Sequence, residues 1–252
     1  MDSEGLCHSG LETTALSPDA PIGQPSLALQ ILHFNDVYDI SARNAEPVAG
    51  AARFVHLAQR LSSQAAAVGV PTITLFSGDC ISPSLLSTIM HGEHMLPVLT
   101  AAGVRAAALG NHELDLGVPI FQKAMLGGRS PFPWLVSNAR WTAAPHGVFA
   151  GCEEFAVLDL SPGWRIGILG LIDKEWGQAL PTVNAVDVEV EESADCCARL
   201  VPMLRHERGC NLVIALTHMR LPEDRRLAAS ALQVRILDYL SPPTNDAHHL
   251  VL

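Results

Sequence analysis

The chain has 252 residues, 48% of them hydrophobic, with 16 basic and 26 acidic side chains for a formal net charge of −10. That is room for one large domain, or for a domain plus a partial one, with a sizeable core. The acidic balance, with no basic run or Lys/Arg-rich face, argues against sequence-independent binding to nucleic acid or to an anionic membrane.

Six cysteines, at 7, 80, 152, 196, 197 and 210, show no C-x-x-C spacing, and two are adjacent. Free thiols in a reducing, cytoplasmic setting fit this better than a disulfide framework. No secretory signal is visible ahead of the first apolar stretch, and no run of about 18 apolar residues could span a bilayer.

In chain order, residues 1–25 are rich in Ser, Gly, Pro, Thr and Asp and read as a disordered leader. The folded part is expected over 27–229. Residues 27–34 read as a buried strand that breaks into Asn35-Asp36-Val37-Tyr38-Asp39. Taken alone, Asp36 suits a turn or helix cap better than a ligand. Residues 50–67 carry Phe54, Val55, Leu57, Ala58 and Leu61 at helical spacing. Residues 71–76 form a strand ending in Ser77-Gly78-Asp79-Cys80, and a short helix follows, with Ser82 or Ser84 as N-cap and Leu85, Leu86 and Ile89 as its apolar face.

Residues 93–102 read as a helix with Pro97 in its first turn, and 104–109 as a strand leading into Gly110-Asn111-His112-Glu113-Leu114-Asp115. Here Asn111 offers an amide oxygen to a metal, His112 an imidazole for proton transfer, and Asp115 a carboxylate to orient that imidazole. A surface turn accounts for the Gly-Asn pair equally well. After residues 118–125, a short strand over 134–138 ends at Asn138, which either reaches the same site as a substrate contact or satisfies a loop backbone. Residues 155–160 and 165–172, joined by Ser161-Pro162-Gly163-Trp164, read as an antiparallel hairpin ending at Asp173. Residues 183–190 form an extended connection, 191–207 a helix that Pro202 should kink, and 212–216 a buried strand ending in Thr217-His218. Residues 230–240 read as a helix through Leu232, Ile236 and Leu240, and 230–252 as a divergent tail whose His248 and His249 are alternative ligands or solvated residues.

The repeated strand-helix units imply an α/β fold with ligands gathered at strand ends. Asp36, Asp79, Asn111 and His218 each follow an apolar strand, and two carboxylates, an amide oxygen and an imidazole suit Mn²⁺, Zn²⁺ or Fe²⁺. The glycines near them form no dinucleotide or P-loop fingerprint.

Four motifs, His33-Phe34-Asn35-Asp36-Val37-Tyr38, Ser77-Gly78-Asp79, Gly110 to Asp115 as above, and Leu216-Thr217-His218, stand in the order of the calcineurin-like metallophosphoesterases. The chain resembles that family, within it the 5'-nucleotidase branch, from about residue 29 to 229. The resemblance implies a two-sheet mixed β-sandwich flanked by helices, with two divalent metal ions at its rim. It implies that Asp36 binds the first ion, Asp79 bridges, and Asn111 and His218 bind the second. His112 would protonate the leaving oxygen, oriented by Asp115, in hydrolysis of a phosphate monoester of a small metabolite such as a nucleotide. Where most of the family has a histidine two residues after the first aspartate, this chain has Tyr38. The family's Gly-His-x-His motif and C-terminal domain do not follow, so the fold is expected to be incomplete at its C-terminus, with an unpaired sheet edge open to self-association. The alternatives are an impaired, truncated scaffold acting as a binding or regulatory protein, and a phosphodiesterase of the same superfamily.

Overall fold

The computed structural model describes residues 12–16, 28–42, 44, 48–161, 163–177, 180, 182–230 and 234–237. Its first sheet takes strands β1 (Glu12–Leu16), β2 (Leu29–Phe34), β3 (Thr72–Phe76), β4 (Val104–Ala108) and β5 (Trp134–Leu135) in sequence order. β2 to β5 run parallel and β1 is antiparallel to β2. A small sheet joins β6 (Ala139–Trp141) and β7 (Ala144–Val148) to β10 (Val188–Val190). The third has the order β12-β11-β9-β8, built from β8 (Phe155–Leu160), β9 (Trp164–Ile172), β11 (Leu212–His218) and β12 (Arg235–Leu237).

The expected sandwich is the fold observed. Leu29, Ile31, Ile73, Leu75, Ala106 and Ala108 of the first sheet pack against Ile166, Ile168, Leu212, Ile214 and Leu216 of the third. These positions alternate along each strand because successive side chains point to opposite faces. The outer face of the first sheet is covered by α1 (Ala51–Ala67), α3 (Met95–Ala101) and the turns after β4, where Phe76, Phe121, Trp134 and Phe149 form the bulkiest part of the core, while the short α2 (Leu85–Met90) lies at the surface. α6 (Ser193–Pro202) covers the outer face of the third sheet through Cys196, Cys197, Leu200 and Val201; short helices α4 (Val118–Phe121) and α5 (Lys174–Gly177) precede it, and α7 (Leu221–Ala229) follows. Pro202 ends α6, and residues 203–207 continue as a wider π turn. Proline removes a backbone donor there, and the helical ladder changes from α to π spacing.

The sheets touch at Gly170, where an added Cβ would lie 2.4 Å from the carbonyl oxygen of Leu135. Ser137 N–H donates to Gly170 C=O at 2.6 Å, and Gly170 N–H to Ser137 Oγ at 3.0 Å. Only glycine admits backbone that close.

Several elements differ from the sequence reading. Residues 12–16, expected in a disordered leader, form β1, because Thr13, Thr14 and Leu16 suit an extended chain and the edge of β2 supplies the missing backbone partners. Residues 235–237, expected in a helix, form β12 and pair in parallel with Ile214, Ala215 and Leu216 of β11. The edge expected to be open there is therefore covered along those three residues. Ser84 does cap α2, its Oγ accepting Ser87 N–H at 3.0 Å, but Leu85 and Ile89 are 82% and 70% exposed rather than packed. Four residues apart, they share one face of the helix, and that face is turned to the surface while Ser87 is buried. The five cysteines among the described residues are free and buried, and no helix there is long and apolar enough to cross a membrane.

Candidate active site

The parallel strands β2, β3 and β4 and the parallel pair β9 and β11 all deliver their C-terminal ends to one rim. Each apolar run ends where the core ends, and the next residues are the first free to be polar. Asp36 and Asp79 lie there in the left-handed region, at φ 54° and 67°. Aspartate tolerates that conformation better than most side chains. The turns carrying them are tied together, Asp36 N–H donating to Gly78 C=O at 3.1 Å and Val37 N–H to Asp79 C=O at 3.0 Å.

Asp79 is the hub. It is 1% exposed; its Oδ1 accepts His112 N–H at 2.9 Å, and its Oδ2 lies 3.3 Å from His218 Nε2 and 3.2 Å from the Tyr38 hydroxyl. His218 Nε2 is also 3.1 Å from Asn111 Oδ1. The other nitrogen of His218 is 2.7 Å from Ser77 C=O. A carbonyl can only accept, so Nδ1 carries a proton and Nε2 is the nitrogen turned to Asp79 and Asn111. Burial works against the His218 cation, but the hydrogen bond and charge of Asp79 prevail and raise its pKa to about 9. Burial likewise opposes the Asp79 carboxylate, and His218 outweighs it and holds the pKa below the usual range.

His112 stands at the mouth, its Nδ1 2.6 Å from Asp115 Oδ2 and its Nε2 4.0 Å from Asp79 Oδ2. Asp115 fixes the tautomer, leaving Nε2 to exchange a proton with a bound molecule. Desolvation would lower the His112 pKa, yet the Asp115 hydrogen bond and the nearby carboxylates raise it. Asp36 is joined to Asp79 through Tyr38, whose hydroxyl hydrogen-bonds the Asp36 carboxylate as well. Burial raises the Asp36 pKa, with the Asp79 charge acting in the same direction and Tyr38 opposing.

Among the described residues, no group of three or more His, Cys, Asp or Glu side chains is spaced to hold a metal ion. The set that converges includes an amide: Asp79 Oδ2, Asn111 Oδ1 and His218 Nε2. One anionic oxygen, one neutral oxygen and one imidazole nitrogen fit a single divalent ion of borderline hardness. Asp36 and Asp79 are the carboxylates available to a second, and His248 and His249 lie outside the described residues.

Asn138, considered as a substrate contact, is spent on the backbone. Its Nδ2 donates to the carbonyls of Ile172 (2.9 Å) and Glu191 (3.2 Å), and its Oδ1 accepts Ile172 N–H at 3.0 Å. At 2% exposure it braces the end of β9, because a buried amide must be satisfied wherever its partners are. Glu113 escaped the sequence reading altogether. It is fully buried, and its carboxylate accepts the N–H groups of Asp79 (2.8 Å), Cys80 (2.6 Å) and Gly110 (2.7 Å). Burial and the Asp79 charge push its pKa up to about 7 against the pull of those donors. The motif Gly-Asn-His-Glu contains it, but its backbone partners have no signature in a sequence.

Comparison with solved structures decides the fold. YfkN of Bacillus subtilis, a calcineurin-like phosphoesterase, superposes with a TM-score of 0.69 at 18% identity, over 87% of this chain and 75% of that one. This chain has the calcineurin-like phosphoesterase fold. The phosphoesterase fold recurs in a 5'-nucleotidase precursor from Thermus thermophilus, with a TM-score of 0.70 and 24% identity over 84% of this chain and 41% of that one. In sequence, the chain is 25% identical over 203 residues to protein UshA of Yersinia enterocolitica, covering 81% of this chain and 36% of that protein. It is 27% identical over 215 residues to the snake venom 5'-nucleotidase of Gloydius brevicauda, covering 81% and 35%. The chain thus spans about a third of the length of these relatives. No family model matches it.

Proposed function

We propose that this chain is the phosphoesterase part of a 5'-nucleotidase-like hydrolase, acting on a phosphate monoester of a small metabolite, with nucleotides as the first class to test. The observation that carries this reading is the meeting of Asp79, Asn111 and His218 beside the His112–Asp115 pair at one rim of the sandwich. The 5'-nucleotidases among its relatives support the substrate class.

Asp79, Asn111 and His218 would hold one divalent ion, Mn²⁺, Zn²⁺ or Fe²⁺ by donor type, and Asp36 with Asp79 would contribute to a second. Such an ion supplies Lewis acidity and neutralises charge on the phosphoryl oxygens. Asp36, Asp79 and Asp115 crowd three carboxylates at the rim, and a bound cation would ease the approach of a phosphate to them. His112, held with Nδ1 on Asp115, whose hydrogen bond favours the protonated ring, gives the Nε2 proton to the departing alkoxide. His218 keeps Nε2 directed at the donors by spending Nδ1 on Ser77 C=O.

Hydrolysis of p-nitrophenyl phosphate, its bis-ester and nucleoside 5'-monophosphates, with added Mn²⁺ or with EDTA, tests the reading. We expect Mn²⁺-dependent monoester turnover, lowered at least about 100-fold in His112→Ala and abolished in Asp79→Asn. Folded protein without turnover above the variants refutes it, and turnover confined to the bis-ester indicates a phosphodiesterase.

A further inference from the structure

Glu113 lies under the candidate active site and points at neither the converging donors nor the free nitrogen of His112. Both its oxygens are occupied by backbone: Oε2 accepts Asp79 N–H and Gly110 N–H, and Oε1 accepts Cys80 N–H. Two of these amides belong to the turn after β3 and one to the turn after β4, segments that lie more than 30 positions apart in sequence. The opposite arrangement occurs a few ångströms away, where Asp79, on the first turn, accepts His112 N–H of the second at 2.9 Å. Each turn therefore lends a carboxylate to the amides of the other. The fit leaves no slack, since a Cβ on Gly110 would come within 2.1 Å of Asp79 Oδ1 and 2.8 Å of Glu113 Oε2.

We propose that Glu113 is a positioning residue of this site, fixing the distance between Asp79 on one turn and Asn111 and His112 on the other. The proposal rests on the functional reading above. A carboxylate suits the place because it only accepts, and three donors face it. The neutral isostere glutamine would turn an amide N–H₂ toward at least one backbone N–H, and a buried donor without an acceptor pushes the turns apart. Asp79 and Asn111 both meet His218 Nε2, at 3.3 and 3.1 Å, so a small separation of the turns breaks the convergence of the three donors. Outer partners that orient ligands are typically worth 10- to 100-fold in metal affinity. Glu113 would contribute in this way while touching neither ion nor substrate.

The test is calorimetric titration of the full chain with Mn²⁺ alone, together with kcat and KM for p-nitrophenyl phosphate. The parent is compared with Glu113→Gln and with Leu204→Ala, a buried position on the outer face of the third sheet, as a destabilised control. We expect Glu113→Gln to weaken Mn²⁺ binding by about 10- to 100-fold and to lower kcat more than it changes KM. Leu204→Ala should lower the melting temperature and keep the parent's Mn²⁺ affinity. Should Glu113→Gln not fold, Glu113→Asp keeps the charge but is one methylene too short to reach both turns. It should fold and still bind Mn²⁺ more weakly. Parent-like affinity in the folded Glu113 variant, or an equal loss in Leu204→Ala, overturns the role of Glu113 and leaves the functional reading standing. No Mn²⁺ binding by the parent overturns both.

Discussion

His33 is 6% exposed, with Nε2 2.7 Å from Ser77 Oγ. Burial deprives an imidazolium of its water, and the pKa falls from 6.5 to about 4. In the unfolded chain the same ring titrates near 6.5. Between pH 6.5 and 4 the unfolded state therefore takes up a proton that the native state refuses. Stability from this group is complete above pH 6.5 and is lost as the pH falls toward 4, by about 3 kcal/mol in total. Urea midpoints of the parent and His33→Gln, measured from pH 7.5 to 4, should diverge over that window, with the variant falling less steeply. Parallel curves would mean that His33 is not held neutral. The same scale shows what a sequence reveals of a site. Asp36, Asp79, Asn111, His112, Asp115 and His218 were legible because each interrupts or follows an apolar strand. Glu113 was not, because its partners are N–H groups that every non-proline residue carries. The side-chain use of Asn138 was equally hidden, since an amide at a strand end looks the same whether it faces a ligand or a carbonyl.

At the scale of elements, periodicity located α1, α3, β3, β4 and the hairpin β8–β9 to within a residue or two of their observed ends. β1 and β12 were missed for a common reason. Both are edge strands whose stabilisation comes from a neighbour's free backbone groups, and that neighbour is distant in sequence: Thr14 pairs with Ile31, and Ile236 with Ala215. Packing of one strand on another was also unreadable, and Gly170 is the sharpest case. In Gly170→Ala the new methyl meets the Leu135 carbonyl carbon and oxygen at 2.7 and 2.4 Å, and both are backbone atoms that no rotamer change can move aside. Overpacking of this kind costs about 1–3 kcal/mol. A urea midpoint indistinguishable from the parent's would show that β5 and β9 are not held this tightly.

Across the whole molecule, β9 is the seam. It is hydrogen-bonded along one side to β8 and along the other to β11, and at Gly170 it touches the loop leaving β5 in the other sheet. Ile166, Ile168, Leu169 and Leu171 on it are fully buried, the first two facing the inter-sheet core and the last two the α6 side. The third sheet cannot split on either side of β9 without stripping it of β8 or β11. Local openings should stop short of this strand, and its amides should exchange with deuterium only when the entire domain unfolds. Amide exchange followed residue by residue should give Ile168 and Leu169 the largest opening free energies, equal to that of global unfolding by urea. Protection there well below the global value would divide the sandwich into two units that unfold separately.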